Sequence, residues 1–348
     1  MTLEMRKMKI KRILKYFGIS VAILIMGFLI VAQIAYQGIP QIEPPGKMYS
    51  VNGGEIHMYC TGSDNDEKPT IIIISGGGIA SLEYSKLQEK LSQTVRTCSY
   101  DAAGISWSPA NDIPYTAKNM SDELYQLLRA AQIDGPIILA GHAMGGITSL
   151  VYSAEHDERV AGIAFIDTSH YDQTGYFGEE FTETFDKEMK EALVNLWLIE
   201  IGNNLGILNL MGVFNHSGPN TDEKDSEMRV STYRWNPPFP AIKSMISNID
   251  LSSEQGKEAH YVRGDLPMVV ISASGSPAGN SREIGGITTG EYRKGLDELH
   301  KDLAGLSSNG KHVFVNGTSH TSIVHHDETA EHILSLIPLT VENLENGD

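Results

Sequence analysis

Residues 141–146 read Gly-His-Ala-Met-Gly-Gly and separate an apolar run from an amphipathic stretch. Both glycine positions fit the Gly-x-Ser-x-Gly turn, which carries a strand sharply into a helix and lifts the middle side chain into a site. In such a turn a serine hydroxyl attacks a carbonyl carbon while a base removes its proton. The middle residue here is Ala143, whose methyl group has neither a lone pair nor an acidic proton. The spacing predicts the turn, although such glycines also occur in plain helix packing, and Ala143 argues against covalent ester hydrolysis.

An alternation of strands and helices surrounds this turn. Continuous apolar runs at 70–75, 136–140 and 160–166 predict strands that are buried on both faces, as in a parallel sheet. Helical spacing is found between and after them, at 116–131 and 145–156. We therefore expect an α/β protein with a doubly wound, mostly parallel sheet. Further strands are expected at 47–51, 55–60, 95–100, 267–272 and 311–315, and further helices at 82–94, 290–306 and 327–336.

Residues 172–265 break this alternation and are mostly of helical character. They follow the strand predicted at 160–166, where a helical cap would cover a site at the carboxyl ends of the strands. Their many apolar residues, such as Trp197, form either a core of the insertion itself or a wall that faces a ligand, and both alternatives stay open. The expected units are an α/β core at 47–171 and 266–340, a helical cap at 172–265 and an acidic tail at 341–348.

The first 36 residues have a different physical character. Residues 17–35 are uncharged, and at a rise of ~1.5 Å per residue they nearly match a hydrocarbon core of ~30 Å. Six basic residues precede them in a tail at 1–15, so the positive-inside rule places the N-terminus in the cytoplasm and the body outside it. We expect a single-pass membrane helix at 16–36, followed by a stiff linker at 37–46. The alternative is a cleaved signal peptide, which Gln33 disfavours because cleavage requires small residues.

The charge of the chain excludes several partners. The net charge is −17, and beyond residue 36 the chain has 21 basic against 43 acidic residues. Nucleic-acid binding requires clustered Lys and Arg, so no nucleic-acid partner is expected. No cofactor is expected, and the glycines at 76–78 lack the Gly-x-Gly-x-x-Gly spacing of a dinucleotide site. No metal site is expected either, because His325, His326 and Asp327 match no familiar zinc spacing.

The chain has two cysteines, Cys60 and Cys98, and each lies at the end of a predicted strand. If these strands are neighbours, their ends bring the two thiols within bridging distance. A body outside the cytosol permits a disulfide. We therefore predict a Cys60–Cys98 bridge, with two buried free thiols as the alternative.

Three further blocks resemble a known family. Residues 75–78 read Ser-Gly-Gly-Gly, residues 101–108 read Asp-Ala-Ala-Gly-Ile-Ser-Trp-Ser, and residues 317–320 read Gly-Thr-Ser-His. Together with 141–146, each at the end of a predicted strand, they resemble the oxyanion, Asp-Arg-x-Gly-x-Gly-x-Ser, histidine and nucleophile blocks of the α/β-hydrolase superfamily. The resemblance covers roughly 47–340 and is strongest to esterases, lipases and haloalkane-dehalogenase-like members. The blocks depart from the family pattern at Ser75, Ala102 and Ser106, where the family has histidine, arginine and glycine.

This resemblance implies that His320 is the general base, since neutral imidazole accepts a proton near pH 7. The base needs an orienting carboxylate. The usual family position is the loop after the strand at 267–272, which holds no acid until Glu283. Some family members place the acid at the end of the sixth strand, and Asp167 fits that position. We therefore favour Asp167, with Asp172 and Glu283 as alternatives.

The same resemblance implies oxyanion donors from the backbone N–H of Met144 and of Gly76 or Gly77. Ala143 leaves three interpretations: an active serine enzyme altered to alanine, a natural relative that kept the pocket for binding or signalling, or weak turnover by water that the base activates. The departures in the other blocks favour a natural divergent member. We expect a membrane-anchored, serine-esterase-like scaffold for a small or acyl ester-type substrate, inactive or very weak with Ala143. A catalytically silent ligand-binding or signalling module is the alternative.

Overall fold

Parallel strands flanked by helices make up the body of the protein. The computed structural model describes residues 3–38, 41–63, 68–213, 223–275 and 283–346. Parts of the predicted segments lie outside these ranges, namely 1–2 of the basic tail, 39–40 of the linker, 64–67 and 276–282 of the α/β core, 214–222 of the cap and 347–348 of the acidic tail. The strands are β1 (Lys47–Val51), β2 (Gly54–Thr61), β3 (Thr70–Ile74), β4 (Thr97–Asp101), β5 (Ile137–His142), β6 (Val160–Ile166), β7 (Met268–Ala273), β8 (Glu283–Ile284), β9 (Ile287–Thr288) and β10 (Gly310–Val315).

Eight of the strands in the described ranges form one sheet, in the order β1-β2-β4-β3-β5-β6-β7-β10. β1 pairs antiparallel with β2, and β2 with β4, while the other neighbouring pairs are parallel. The predicted α/β class with a mostly parallel sheet is therefore confirmed. The helices are α1 (Leu3–Gln37), α2 (Ser85–Ser92), α3 (Ala117–Ala130), α4 (Met144–Glu155), α5 (Gln173–Phe177), α6 (Glu179–Asn204), α7 (Ile207–Leu210), α8 (Glu223–Trp235), α9 (Phe239–Ser247), α10 (Ile249–Glu258), α11 (Thr289–Ala304), α12 (Asp327–Leu334) and α13 (Ile337–Asn346).

Helices cover both faces of the sheet, and the alternation of side chains along β3 shows this. Ile72 belongs to a hydrophobic cluster that includes Leu124 of α3, whereas Ile71 belongs to a second cluster that includes Leu87 of α2. Burial of each such side chain stabilises the fold by about 1.5–3 kcal/mol. The carboxyl ends of the strands are thereby held at one rigid edge, where the site blocks meet.

Helices α5 to α10 form the insertion between β6 and β7, in agreement with the helical character expected there. α1 precedes the body and exposes most of its apolar side chains. Within the described part of the chain, one helix is long and apolar enough to cross a membrane. That helix stretch is Met5–Gln37, and an 18-residue window within it has a mean hydropathy of 2.5.

The predicted disulfide between Cys60 and Cys98 is present. The two residues lie directly opposite each other in the antiparallel pair of β2 and β4, which explains why the bridge forms. The C-terminal helix α13 extends from Ile337 to Asn346 and includes most of the predicted acidic tail. Ile337, at the start of α13, is buried in a core cluster and anchors this helix.

Candidate active site

Ala143 occupies the turn between β5 and α4 with φ 51° and ψ −123°. Positive φ costs a non-glycine residue on the order of 1–3 kcal/mol and persists only where the surroundings impose it. Here the Ala143 carbonyl accepts hydrogen bonds from Thr168 Oγ1 at 2.9 Å and from the Ser169 N–H at 3.1 Å. Packing is equally strict, since a Cβ at Gly145 would lie 2.3 Å from the Ile74 carbonyl oxygen. The neighbours, rather than the side chain at position 143, therefore hold this turn.

Asp167 directly follows β6, and its carboxylate is fully buried. Its Oδ2 accepts a hydrogen bond from Nδ1 of His320 at 2.7 Å, and its Oδ1 accepts one from the Ala273 N–H at 2.9 Å. Because Nδ1 carries the proton, neutral His320 has its lone pair on Nε2. The His320 side chain is 45 % exposed, so the ring is in contact with solvent. The arrangement is that of an oriented imidazole with a free proton acceptor.

Arg293 of α11 also binds Asp167, and the sequence did not reveal this contact. Its two terminal nitrogens donate to Oδ1 at 2.6 Å and to Oδ2 at 3.2 Å. Burial opposes ionisation of Asp167, but His320 and the Arg293 guanidinium outweigh it and hold the pKa of Asp167 well below its usual range. The carboxylate accepts four hydrogen bonds in all, which fills its acceptor sites. We call Asp167, His320 and Arg293 the Asp167 corner.

The two other candidate acids lie elsewhere. Asp172 lies at the start of α5, where its backbone N–H donates to Nδ1 of His170 at 3.0 Å. Glu283 begins β8 and lines a cavity beside the Asp167 corner. Neither carboxylate forms a hydrogen bond with His320 in the described part of the chain, whereas that of Asp167 does.

A chain of hydrogen bonds connects the glycine loop, the Ala143 turn and His320. Nε2 of His142 lies 2.9 Å from the His320 carbonyl oxygen and must donate to it, so Nδ1 accepts from Tyr84 Oη at 2.8 Å. Tyr84 Oη in turn accepts the Gly76 N–H at 3.0 Å. Burial, above all, lowers the pKa of His142 to about 3 and raises that of Tyr84, which keeps both groups neutral. The rings of His142 and His320 stack with centroids 4.6 Å apart, which places His320 beside the turn.

This chain distinguishes the two glycines proposed as oxyanion donors. The Gly76 N–H is already bonded to Tyr84, whereas the Gly77 N–H has no hydrogen-bond partner among the residues that the structure describes. Helix α9 of the insertion lies directly over Gly77, since a Cβ there would overlap Met245 Sδ at 1.7 Å. Met144 begins α4, so its N–H is one of the unpaired donors of a helix N-terminus. Gly77 and Met144 are thus the pair with amides left for a ligand.

A cavity of about 610 Å³ lies on the Arg293 side of His320. It contains both acidic and aromatic side chains, and the described residues that line it do not include Ala143. Its lining includes Asp167, His320, Arg293, Tyr292, Glu188 and Glu283. The Asp167 corner is therefore accessible from a space that is formed partly by α6 and α11.

The block at 101–108 has a structural role. The buried Asp101 accepts hydrogen bonds from Nδ1 of His57 at 2.8 Å and from the Ser81 N–H at 2.7 Å. Ser106 has φ 50°, and the family that the chain resembles has glycine at this position. Glycine adopts positive φ without strain, so serine is here the costlier residue. The block thus keeps its backbone shape despite the substitution.

Three side-chain clusters among the described residues have the spacing of a metal site, and one of them lies near the start of the insertion. Side-chain ligand atoms of His170, His260 and Asp302 lie within 4.8 Å of one another. However, Nδ1 of His170 accepts the Asp172 N–H, so Nε2 carries the proton and donates to Asp302 at 3.2 Å. A ligating histidine needs a free lone pair on that nitrogen and normally donates its other N–H. Hydrogen bonding therefore explains this cluster without a metal.

Comparisons with known proteins agree with the fold. The profile of a family described as alpha/beta hydrolase fold matches residues 69–276. An uncharacterised protein of Schizosaccharomyces pombe is 26 % identical over 278 residues, which cover 70 % of this chain and 48 % of that protein. An uncharacterised vacuolar membrane protein of Saccharomyces cerevisiae is 25 % identical over 131 residues, covering 33 % of this chain and 20 % of the relative. The chain thus spans about half or less of the length of these relatives.

Solved structures show the same fold. A thermophilic esterase from Thermogutta terrifontis superposes with a TM-score of 0.56 at 15 % sequence identity, covering 84 % of this chain and 97 % of the esterase. At this identity the likeness concerns the fold alone.

Proposed function

The chain belongs to the α/β-hydrolase family, and from this premise we propose that it is a membrane-anchored, serine-esterase-like scaffold for a small or acyl ester-type ligand. The proposal assigns His320 as the base, Asp167 as its orienting acid, and the amides of Met144 and Gly77 as oxyanion donors. Ala143 occupies the nucleophile position and makes covalent hydrolysis unavailable. One observation carries the proposal. Nδ1 of His320 lies 2.7 Å from Oδ2 of Asp167, beside the turn at Ala143, where φ is positive.

Ester turnover tests this assignment. We compare the full chain with Ala143→Ser in lipid nanodiscs, using p-nitrophenyl esters of increasing acyl length. The serine variant should hydrolyse at least one ester well above the native chain, because the hydroxyl then has an oriented base. Ala143→Ser/His320→Ala is the matched control, and it should lose about 10²–10⁴-fold of that activity. Equal activity with and without His320 would contradict the assignment of the base.

A second candidate is a silent ligand-binding or signalling module, and Arg293 favours it. The guanidinium neutralises the carboxylate that would otherwise stabilise a protonated His320. A site selected for turnover gains nothing from that contact, whereas a binding site gains rigidity. If folded Ala143→Ser remains inactive on every ester, the binding module becomes the better account.

The membrane anchor is part of the proposal. We assign α1 as a single-pass anchor with its basic end in the cytoplasm and the body outside the cytosol. The Cys60–Cys98 disulfide supports an oxidising compartment. The relative from Saccharomyces cerevisiae is named a vacuolar membrane protein. Protease added to the cytoplasmic side of sealed vesicles should leave the body intact. Digestion of the body from that side would refute this orientation.

A further inference from the structure

The cap helix α6 changes character halfway along its length. Its first part, 179–191, carries eight charged residues, whereas 192–213 carries one, Glu200. That single carboxylate is paired with Lys243 of α9 at 2.5 Å and is only 22 % exposed. The second half of α6 and α7 therefore presents no unpaired charge to its surroundings.

Large apolar side chains on this second half face outwards. Val194, Leu198 and Ile201 of α6 recur at helical spacing with Leu205, which directly follows the helix, and the four lie on one face. Trp197 and Met211 add to them with exposures of 55 % and 71 %. We call these six residues the α6–α7 apolar surface. Soluble proteins rarely expose a contiguous patch of this kind, and tryptophan is enriched where protein meets the membrane interface.

The C-terminal end of α1 contacts the same region. Nε2 of Gln33 donates to the Asn204 carbonyl at 2.6 Å. Ala32 is fully buried, and a Cβ at Gly206 would lie 2.6 Å from its carbonyl oxygen. The junction of α6 and α7 is therefore fixed to the last turns of α1.

These contacts determine how deep in a bilayer the junction of α6 and α7 would lie. Ala32 lies five residues before Gln37, the end of α1, which at ~1.5 Å per residue is about 8 Å along the helix axis. Helices at a membrane interface bury their apolar face ~5–10 Å into the boundary between headgroups and acyl chains. A helix that touches α1 at Ala32 lies at this depth if α1 crosses the bilayer.

We infer that the α6–α7 apolar surface lies in the outer interfacial layer of the bilayer that α1 crosses, so that lipid is its partner. This inference rests on the membrane anchor in the proposed function. The continuity of the surface with α1 selects lipid over a second protein. It also explains why one half of α6 is charged: that half, which includes Glu188, lines the cavity beside His320 instead. The cap is then seated in the membrane, with the site next to it in water.

Site-specific fluorescence in nanodiscs tests the inference. The two native cysteines are joined in a disulfide, so an introduced cysteine is the only free thiol. The full chain is labelled with the environment-sensitive dye NBD at Leu198→Cys, at Ile25→Cys in α1, or at Lys187→Cys. Lys187 is the matched control, because it is exposed on the same helix, 11 residues or about 16 Å before Leu198. Lipids with a nitroxide on the acyl chain serve as quenchers.

The inference predicts that emission at Leu198 and Ile25 falls by about half or more, since interfacial burial of ~5–10 Å brings the dye among the acyl chains. Emission at Lys187 should change little. If Ile25 is quenched while Leu198 behaves like Lys187, the anchor stands and the inference is overturned. If Ile25 itself is unquenched, the anchor in the proposed function fails and the inference fails with it. Preservation of the Cys60–Cys98 disulfide in each variant verifies that the labelled chains are folded.

Discussion

The Ala143 turn and the Asp167 corner lie side by side and differ in what they retain. The turn keeps a strained backbone, with φ 51°, but carries an unreactive methyl group. The corner keeps reactive side chains and adds a third, Arg293. The difference shows that scaffold and chemistry are separable. Neighbours such as Thr168 impose the shape of the turn, so this shape does not depend on the side chain at position 143, whereas the corner exists only through its side chains.

The largest expected effect follows from removal of the orienting acid, Asp167. In the Ala143→Ser background, Asp167→Asn should lower kcat/KM for ester hydrolysis by about 10³–10⁴-fold, as for an acid that fixes the tautomer of the base. Asp172→Asn in the same background is the control, and its effect should be small because Asp172 does not contact His320. Comparable losses from both variants would show that the corner is not the acid–base pair.

The second effect concerns His142, which connects the two regions. Its folded pKa of about 3 lies below the unfolded value of 6.5, so the unfolded chain binds the extra proton first. The stability that neutral His142 contributes is present above pH 6.5 and is lost as the pH falls towards 3. Between pH 6.5 and 5 this amounts to about 2 kcal/mol. His142→Gln should reduce the fall in unfolding free energy over this range, measured by urea titration.

If the unfolding free energy of His142→Gln falls with pH as steeply as that of the native chain, His142 does not hold the turn and the corner together in its neutral form. The control is His326→Gln. His326 caps α12 outside the hydrogen-bond chain of His142, so its substitution separates the loss of that chain from the loss of any one histidine.

A smaller effect concerns Arg293, the third side chain of the Asp167 corner. Arg293→Gln in the Ala143→Ser background should raise the hydrolysis rate by up to about fivefold, since a partly exposed ion pair is worth about 0.2–1 kcal/mol. Arg293→Lys keeps the charge without the paired hydrogen bonds and should change the rate less. A fall in rate with Arg293→Gln would mean that Arg293 positions Asp167 instead of restraining it.

The smallest expected effect concerns the hydrogen bonds that fix the Ala143 turn. Thr168→Val removes one of the hydrogen bonds to the Ala143 carbonyl, while the Ser169 and Gly146 N–H groups still donate to it. The unfolding free energy should fall by about 1 kcal/mol. Ser153→Ala, which removes a hydroxyl from the far end of α4, controls for the loss of a buried helix hydroxyl. A loss of several kcal/mol would show that the turn depends on Thr168 alone.

Much of the fold is readable from the sequence because local patterns determine it. The strands at Lys47–Val51 and Val160–Ile166 have the predicted bounds, since both are short apolar or alternating runs between turn residues. Asp167 follows the second of these, at the position where the resemblance to α/β-hydrolases implied an orienting acid. The disulfide followed from the same kind of placement.

The sequence does not reveal the contacts that depend on distant side chains. Arg293 lies 126 residues from Asp167 on an amphipathic helix, where an arginine is typical of a solvated face. The engagement of Gly76 depends on Tyr84 and on the tautomer of His142, which only the folded geometry determines. These contacts come from tertiary packing, and no local pattern announces them.

The most direct test of the central claim is covalent labelling by a fluorophosphonate, read by intact mass and peptide mapping. The native full chain should gain no adduct, and Ala143→Ser should gain one phosphonyl group, located at position 143. An adduct on the native chain, or none on folded Ala143→Ser, would contradict the claim that the site lacks only its nucleophile.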